Sequence, residues 1–280
     1  MPKMPEGAQL RVRRETAERV KDAQERNRVW WESLPMTYAD FNETDRIPAT
    51  AAGFREVDRL FLEGNPWLRD AFDFNAFAGK KVLEIGCGSG SASCLLARGG
   101  AEVTAIDLIS QALALTRKNI ETQELAVDVR QMDAEELEFP DESFDYVFSW
   151  GVIHHSAETE RIIAQIAWVL KPGGAGMCMV YNRDSIRYFL HGLYFLVAKG
   201  KIFSGHTLKS VQGLYTDGFY QRHWTGREFS AAFRTAGLEP RRITKTHMAV
   251  RIIPHIPRFL DGFLKRHFGW LLVLEFGKRA

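Results

Sequence analysis

The chain has 280 residues, of which 45% are apolar and 26% are charged, and its formal net charge is +2. This composition is typical of a globular protein and excludes the disordered and fibrous classes. A net charge so close to zero gives no reason to expect nucleic acid as a partner.

The cysteines and the N-terminus predict a cytoplasmic protein. Cys87, Cys94 and Cys178 lack the spacing of a metal site, and the first residues contain no apolar secretory segment. The longest apolar stretch covers residues 188–198. Because a helix needs ~20 apolar residues to cross a bilayer, no transmembrane segment is expected.

The N-terminal quarter is predicted to be a helical cap. Residues 10–31 carry charges at helical spacing and end at Trp30-Trp31, and a loop or broken helix follows from Ser33 to Gly53. A second helical run covers about residues 54–72. The apolar positions of residues 1–75 need another surface to pack against, so this region is not expected to be a separate domain.

Short apolar strands alternate with helices from Lys81 to Tyr181. The predicted strands are KVLEI, EVTAID, VDVRQMD, FDYVFSW and AGMCMVY, and the helices are SASCLLARGG, SQALALTRKNIETQ and ETERIIAQIAWVL. Ser110 is a candidate N-cap of the second helix. Continuous apolar strands between helices of this length favour an α/β fold with a parallel sheet covered on both faces. Residues 76–182 are therefore the predicted core.

The alternation stops after Tyr181 and returns later. Residues 183–225 are rich in aromatic rings and are predicted to be a helical insertion that caps the substrate. Residues 226–280 contain a helix, a strand, an interrupted helix through Leu264 and a last strand, WLLVLEFGK. They are predicted to complete the same α/β core.

The glycine-rich stretch VLEIGCGSG lies between a strand and a helix, where backbone amides meet a polar ligand. Its glycines are Gly86, Gly88 and Gly90, and Ser91 stands where a dinucleotide fingerprint has its third glycine. Glu84 suits a ligand with a positive charge better than a pyrophosphate. Both observations disfavour a nicotinamide oxidoreductase and favour S-adenosylmethionine, which carries an ammonium and a sulfonium.

Two further acidic residues follow the next strands. Asp107 could accept hydrogen bonds from ribose hydroxyls, and Asp133 could recognise an adenine amino group with the Ala134 amide beside it. Structural alternatives remain open: a tight turn for the glycines, a neighbour of a helix N-cap for Asp107, and a helix cap for Asp133.

Four motifs in order resemble those of the class I S-adenosylmethionine-dependent methyltransferases: VLEIGCGSG, VTAID, MDAEELEFPDESFDYVFSWGVIHH and LKPGG. The likeness is to the small-molecule branch (methyltransferase type 11, ubiquinone-biosynthesis-like), closely over about residues 80–181 and loosely over 226–278. It implies a Rossmann-like, doubly wound sheet of seven strands with an antiparallel last strand. It also implies S-adenosylmethionine as the cofactor, S-adenosylhomocysteine as its product, and a set of binding residues: Glu84, Gly86, Cys87, Gly88, Gly90, Asp107, Leu108, Asp133, Ala134 and Ser149.

His154 and His155 follow the fourth predicted strand. On an extended segment adjacent side chains point to opposite sides, so the pair is not expected to share a metal ion. The ubiquinone-pathway O-methyltransferases have Glu-x-x-Glu-His in the matching segment, whereas this chain has Gly151, His154 and His155, so no metal is expected. Proton transfer remains as a catalytic role, with His155 preferred over His154, against the alternative of packing or helix capping.

The acceptor is predicted to be a small apolar or aromatic molecule, methylated on oxygen or carbon, because the cap and the insertion are rich in rings. Tyr38, Tyr181 and His223 are candidate polar contacts with it. An alternative is a macromolecule or lipid headgroup recognised by the basic residues that follow Arg241, which could also make a weak contact with a membrane surface. The sequence does not specify an oligomeric state.

Overall fold

The computed structural model describes residues 24–29, 31–32, 50–212, 221–247 and 258–280. Seven strands form one sheet in the order β3-β2-β1-β4-β5-β7-β6. β7 is antiparallel to both of its neighbours, and the other pairs are parallel. The predicted fold class is confirmed. The strands are β1 (Lys81–Ile85), β2 (Glu102–Asp107), β3 (Val127–Gln131), β4 (Phe144–Trp150), β5 (Leu170–Tyr181), β6 (Leu238–Thr246) and β7 (Leu271–Lys278).

Nine α-helices are numbered here within the described residues, with short 3-10 helices and one π-helix between them. The α-helices are α1 (Ala51–Gly64), α2 (Pro66–Ala71), α3 (Ser91–Arg98), α4 (Ser110–Thr122), α5 (Thr159–Val169), α6 (Ile186–Leu193), α7 (Leu208–Gln212), α8 (Gly226–Thr235) and α9 (Arg258–Phe268). Residues 24–29 and 31–32 are also helical. None of these described helices combines the length and the apolar character that crossing a membrane requires.

Two local predictions differ from the structure. The helical run predicted over residues 54–72 is divided at Asn65, because Pro66 begins a new helix where its missing N–H is tolerated. Ser110 does not cap α4; the N-cap is Ile109, and the Ser110 hydroxyl donates instead to the Glu32 carboxylate.

Apolar side chains cover both faces of the sheet. On one face α5 and α8 bury Ile163, Ile166, Phe229 and Phe233 against the central strands. On the other face Phe61 of α1 and Leu68 of α2 pack with Phe148 and Met177. The first two helices therefore belong to the layer that covers the sheet, and the guanidinium of Arg98 on α3 pairs with the buried Asp58 of α1. The domain boundaries remain a prediction.

The order of the strands determines where a ligand can bind. β2 and β3 lie on one side of β1 in the sheet, and β4 and the later strands lie on the other side. The direction in which strands are added therefore reverses between β1 and β4. In an open parallel sheet, this reversal leaves a crevice outside the carboxyl ends of the strands. The segments after β1, β2, β3 and β4 all meet there.

The contact between β5 and β7 predicts the effect of one substitution on stability. A Cβ added at Gly176 would lie 2.4 Å from Cζ of Phe276 and 2.8 Å from the Val147 carbonyl oxygen. We expect Gly176→Ala to lower the free energy of unfolding by about 1–3 kcal/mol, because the ring has to move in a packed core. Urea denaturation measures this change.

Gly262→Ala is the matched control. Gly262 lies within α9, and an added Cβ there would have no atom within 4 Å. Alanine in an exposed helix is expected to raise the stability by up to ~1 kcal/mol. Equal unfolding midpoints for the wild type and the Gly176 variant would contradict the packing described here.

Candidate cofactor and active site

A cavity lies at the carboxyl ends of β1 to β4. It includes six of the residues proposed from sequence for the cofactor or for catalysis: Gly86, Asp107, Leu108, Asp133, Ala134 and His155. Apolar side chains form most of the remaining wall. The other lining residues are Gln24, Asn27, Trp31, Ile85, Ile106, Ile109, Ala112, Met132, Gly151, Val152, Ser156 and Ile162.

The glycine loop after β1 forms one wall, and its shape requires glycine at two positions. Gly86 has a φ of +78°, and a Cβ there would lie 2.2 Å from Cγ2 of Val152. Gly90 has a φ of +79°, and a Cβ there would lie 2.9 Å from Cγ2 of Thr116. Both residues combine a left-handed conformation with close approach to a neighbour, which only glycine accommodates without strain. A bare backbone therefore faces the cavity at Gly86.

Helix α4 holds the same loop from behind. The Thr116 hydroxyl donates to the Gly88 carbonyl at 2.9 Å, and the Asn119 amide donates to the Ser89 carbonyl at 2.9 Å. The Cys87 thiol of the same loop is buried, and this burial raises its pKa. Cys87 is thus a neutral packing residue, and the loop is rigid because side chains satisfy its carbonyl groups.

Asp107 connects the glycine loop to the end of β2. Its carboxylate accepts hydrogen bonds from the Gly88 amide and from the Ile109 amide, each at 3.0 Å. Burial raises the pKa of this carboxyl group, and the backbone donors oppose that shift. Each carboxylate oxygen has two acceptor sites, so both oxygens retain capacity for the hydroxyls of a bound diol.

Asp133 lines the cavity after the neighbouring strand, β3. One carboxylate oxygen accepts from the Glu135 amide at 2.9 Å, which closes a turn. The residues that follow are not helical, so Asp133 is not a helix cap. The Gln24 side-chain amide lies 3.3 Å from the same carboxylate oxygen. The amino group of an adenine is a donor, so it needs an acceptor such as this carboxylate.

Five of the proposed cofactor residues do not line the cavity. Glu84 is buried beneath α3, where the Ser93 hydroxyl donates to it and burial raises the pKa of its carboxyl to about 8. The Ser149 hydroxyl donates to the Ile85 carbonyl at 3.2 Å, which ties β4 to β1. Cys87, Gly88 and Gly90 shape the loop. Direct contact of these five with a cofactor stays a prediction.

The histidine pair is arranged differently from the extended segment assumed in the sequence analysis. Gly151 has a φ of +77°, and the chain then forms a 3-10 helix, Ile153–His155. The two rings consequently lie side by side, with centroids 4.2 Å apart, rather than on opposite sides. No group of three or more potential metal ligands occurs in the described part of the chain.

His154 is the more deeply buried of the pair. It has no exposed surface, and neither ring nitrogen has a hydrogen-bond partner. Burial holds the pKa of this imidazole well below its usual value of 6.5, so the ring is neutral. A buried polar group without a partner is unfavourable by about 1–3 kcal/mol, which makes these nitrogens candidate ligand contacts.

Tyr181 and His223 extend the group of rings away from the cavity. Tyr181 lies 4.3 Å from the His154 ring and stacks on Trp270 at 4.4 Å. The His223 ring is 4.9 Å from Tyr188, and burial lowers its pKa to about 3. We call His154, Tyr181, Tyr188, His223 and Trp270 the ring cluster. Tyr38, the third proposed substrate contact, lies outside the described residues.

The N-terminal helical segment contributes residues that the sequence analysis did not identify as site residues. The Asn27 amide donates to the His155 carbonyl, and the Trp31 ring packs edge-on against the His155 ring at 4.9 Å. Gln24, Asn27 and Trp31 share one helix face by their spacing. A polar helix face that ends in an aromatic residue is visible in the sequence, but the sequence does not show that this face covers the cavity.

The arrangement suits a nucleoside with an extended substituent. Asp107 could accept a ribose diol, Asp133 with Ala134 could accept an adenine, and the exposed backbone of Gly86 leaves room for an amino-acid chain. S-adenosylmethionine has these three parts.

Comparison with known proteins agrees with this reading. Residues 83–178 match the family model described as "Methyltransferase domain". The ubiquinone biosynthesis O-methyltransferase of Ruegeria pomeroyi is 37% identical over 120 residues, which is 43% of this chain and 48% of that protein. The chain thus matches about half the length of this curated relative.

Solved structures show the same fold. A methyltransferase from Mesorhizobium loti, described as S-adenosylmethionine dependent, has a TM-score of 0.54 at 18% identity and covers 76% of this chain and 96% of its own. The [4+2]-cyclase SpnF has a TM-score of 0.53 at 19% identity over 84% of this chain and 85% of its own. Residues 83–178 therefore match a methyltransferase domain, and the described chain shares the fold of these solved structures.

Proposed function

We propose that this protein transfers the methyl group of S-adenosylmethionine to a hydroxyl oxygen of a small apolar or aromatic acceptor. The observation that carries the proposal is the position of the histidine pair. His155 lines the cavity, and His154 presents two unpartnered ring nitrogens within the ring cluster. The O-methyltransferase names of the relatives support oxygen over carbon.

The donor supplies a methyl group already activated on a sulfonium, so the protein has mainly to hold and align the reactants. In the proposed arrangement the Gly86 loop receives the amino-acid part, Asp107 the ribose and Asp133 the adenine. Methyl transfer needs the acceptor oxygen about 3–3.5 Å from the methyl carbon, in line with the departing sulfur. The N-terminal segment that carries Asn27 and Trp31, together with the insertion over residues 183–225, is proposed to exclude water from that line.

The hydroxyl proton has to leave as the new bond forms. The acceptor oxygen forms a bond to the methyl carbon, the carbon–sulfur bond breaks, and a ring nitrogen of His155 takes the proton. His154 is neutral and fully buried, so its ring reaches the acceptor only when the neighbouring rings move; it then donates one hydrogen bond and accepts another. A hydroxyl group matches this pair of functions.

The alternative, a macromolecule or lipid headgroup held by basic residues after Arg241, has less support. Arg242 pairs with Glu275 at 2.6 Å, and Lys265 pairs with Asp261 at 2.6 Å. The Lys278 ammonium lies 3.7 Å from the Glu142 carboxylate. Cations that already face carboxylates in the folded chain provide little attraction for an anionic partner.

Donor recognition predicts a selective loss of affinity. We expect Asp107→Asn to weaken the binding of S-adenosylhomocysteine by about tenfold or more, because a charged acceptor of hydroxyl hydrogen bonds is lost. Isothermal titration calorimetry measures the dissociation constant. Asp128→Asn makes the same charge change at an exposed position on β3 and should bind as the wild type does. Wild-type affinity in the Asp107 variant would refute the ribose assignment.

The role of His155 predicts a dependence on the acidity of the acceptor. We expect His155→Gln to lower kcat by about 10²–10⁴-fold for an ordinary catechol, because general-base catalysis contributes that factor. For a nitro-substituted catechol, which is ionised near neutral pH, the loss should be much smaller. Affinity for S-adenosylhomocysteine is the control for folding. Equal losses with both acceptors would rule out proton transfer and leave a packing role.

His154 predicts a different kinetic signature. We expect His154→Gln to raise KM for the acceptor by more than it lowers kcat, because the side chain is proposed to bind the hydroxyl rather than to take its proton. Steady-state kinetics with saturating donor separates the two constants. An unchanged KM together with wild-type stability would contradict this contact.

A further inference from the structure

A buried hydrogen bond joins the two segments that form the cavity wall after β3 and after β4. The Ser156 hydroxyl donates to the Glu135 carboxylate at 2.6 Å. Glu135 is 7% exposed and Ser156 is 5% exposed. A hydrogen bond to a charged group is stronger where water is excluded, so this bond fixes the two segments relative to each other.

Glu135 belongs to the same turn as the proposed adenine contact. Its backbone amide donates to the Asp133 carboxylate at 2.9 Å, and the Glu136 amide donates to the Asp133 carbonyl at 3.0 Å. Asp133 and Ala134 line the cavity, whereas Glu135 does not. The backbone of Glu135 therefore holds the adenine contact in place, while its side chain reaches the segment that follows β4.

Ser156 is the residue that directly follows the 3-10 helix of the histidine pair, Ile153–His155. Its hydroxyl also accepts a hydrogen bond from the Glu158 amide at 2.9 Å, in the turn before α5. A serine hydroxyl has one hydrogen to donate, and here it goes to Glu135. Glu135 thus fixes the orientation of the Ser156 side chain and the end of the short helix that carries His155.

Two further contacts hold the same short helix from other sides. The Thr159 hydroxyl of α5 donates to the Ile153 carbonyl at 3.0 Å, and the Arg222 amide donates to the His154 carbonyl at 2.9 Å. These bonds secure the first and second residues of the helix. The residue after its last one is secured by the turn that follows β3, through Ser156.

We infer that Glu135 is a positioning residue, which aligns His155 with a donor whose adenine is bound at Asp133. One turn makes the proposed adenine contact and, through Ser156, sets the place of the proposed base, so the two ends of the cavity are held at a fixed separation. A displacement of about 1 Å can lower a rate about 100-fold. This inference rests on the proposed methyl transfer and adds a residue that acts on it without lining the cavity.

Steady-state kinetics with two acceptors tests the alignment. We expect Glu135→Ala to lower kcat for an ordinary catechol by about 10- to 100-fold, because His155 is displaced from the hydroxyl proton. For a nitro-substituted catechol, which is ionised near neutral pH and needs no base, the loss should be much smaller. The affinity for S-adenosylhomocysteine should be unchanged, since the backbone amide that holds Asp133 remains.

Three further variants separate the hydrogen bond from other effects. Glu135→Gln keeps an oxygen that accepts from Ser156, so it should retain most of the wild-type kcat. Ser156→Ala removes the same bond from its other end, and its loss should not add to that of Glu135→Ala in the double variant. Glu136→Ala is the matched control, because this exposed carboxylate of the same turn pairs with Arg161 at the surface and should leave kcat unchanged.

Nuclear magnetic resonance provides a readout that needs no activity. The ring-proton signals of His155 are assigned as those that disappear in His155→Gln. We expect these signals to shift in Glu135→Ala and to remain at their wild-type positions in Glu135→Gln and Glu136→Ala.

Any of four results would overturn the positioning role: wild-type kcat in Glu135→Ala, equal losses with both acceptors, a loss in Glu135→Gln as large as in Glu135→Ala, or unshifted His155 signals in Glu135→Ala. Proton transfer itself fails if His155→Gln loses equally with both acceptors. The positioning role alone fails if His155→Gln distinguishes the acceptors and Glu135→Ala does not. Should the wild type methylate neither catechol, the His155 signals still decide whether Glu135 sets the place of that ring.

Discussion

The two hydrogen bonds that the Asp107 carboxylate accepts hold the site together. One comes from the Gly88 amide of the glycine loop and the other from the Ile109 amide at the start of α4. Through them the ends of β1 and β2 are fixed relative to each other, and α4 in turn clamps the loop through Thr116 and Asn119. A half-buried carboxylate that is satisfied by backbone donors gives a rigid frame with acceptor capacity left over.

The same frame explains why the cavity has two chemically different ends. Near β2 and β3 it presents the oxygen acceptors of Asp107 and Asp133, which suit hydroxyl and amino groups. Near β4 it presents the His155 ring, with the fully buried His154 ring beside it. Transfer of a group requires two molecules to be held next to each other. An end with carboxylate acceptors and an adjacent end with histidine rings suit that requirement.

Sequence reasoning was strongest where the chain is regular. Continuous apolar runs predict the strands, and the glycine and acidic residues that follow these runs predict where the strands end. These patterns depend on local burial and backbone conformation, so the sequence alone shows them. The geometry of His154 and His155 was wrongly predicted, because the left-handed conformation of Gly151 turns the chain into a 3-10 helix instead of extending the strand.

The contributions of distant segments were the hardest to predict. Asn27 reaches the His155 carbonyl across 128 positions of sequence, and no local pattern encodes that contact. Glu84 lies at the start of the glycine motif, and its carboxylate accepts a hydrogen bond from Ser93 of α3. The alternation of strand faces places it on the side of the sheet opposite to Leu83 and Ile85, and its contact with a cofactor stays a prediction.

A crystal structure of the protein with S-adenosylhomocysteine tests the central claim most directly. The account predicts ribose hydroxyls on the Asp107 carboxylate, the adenine beside Asp133 and Ala134, and the sulfur atom directed toward His155. A nucleoside bound outside this cavity, or bound in it with the sulfur directed away from the histidine pair, would contradict the account.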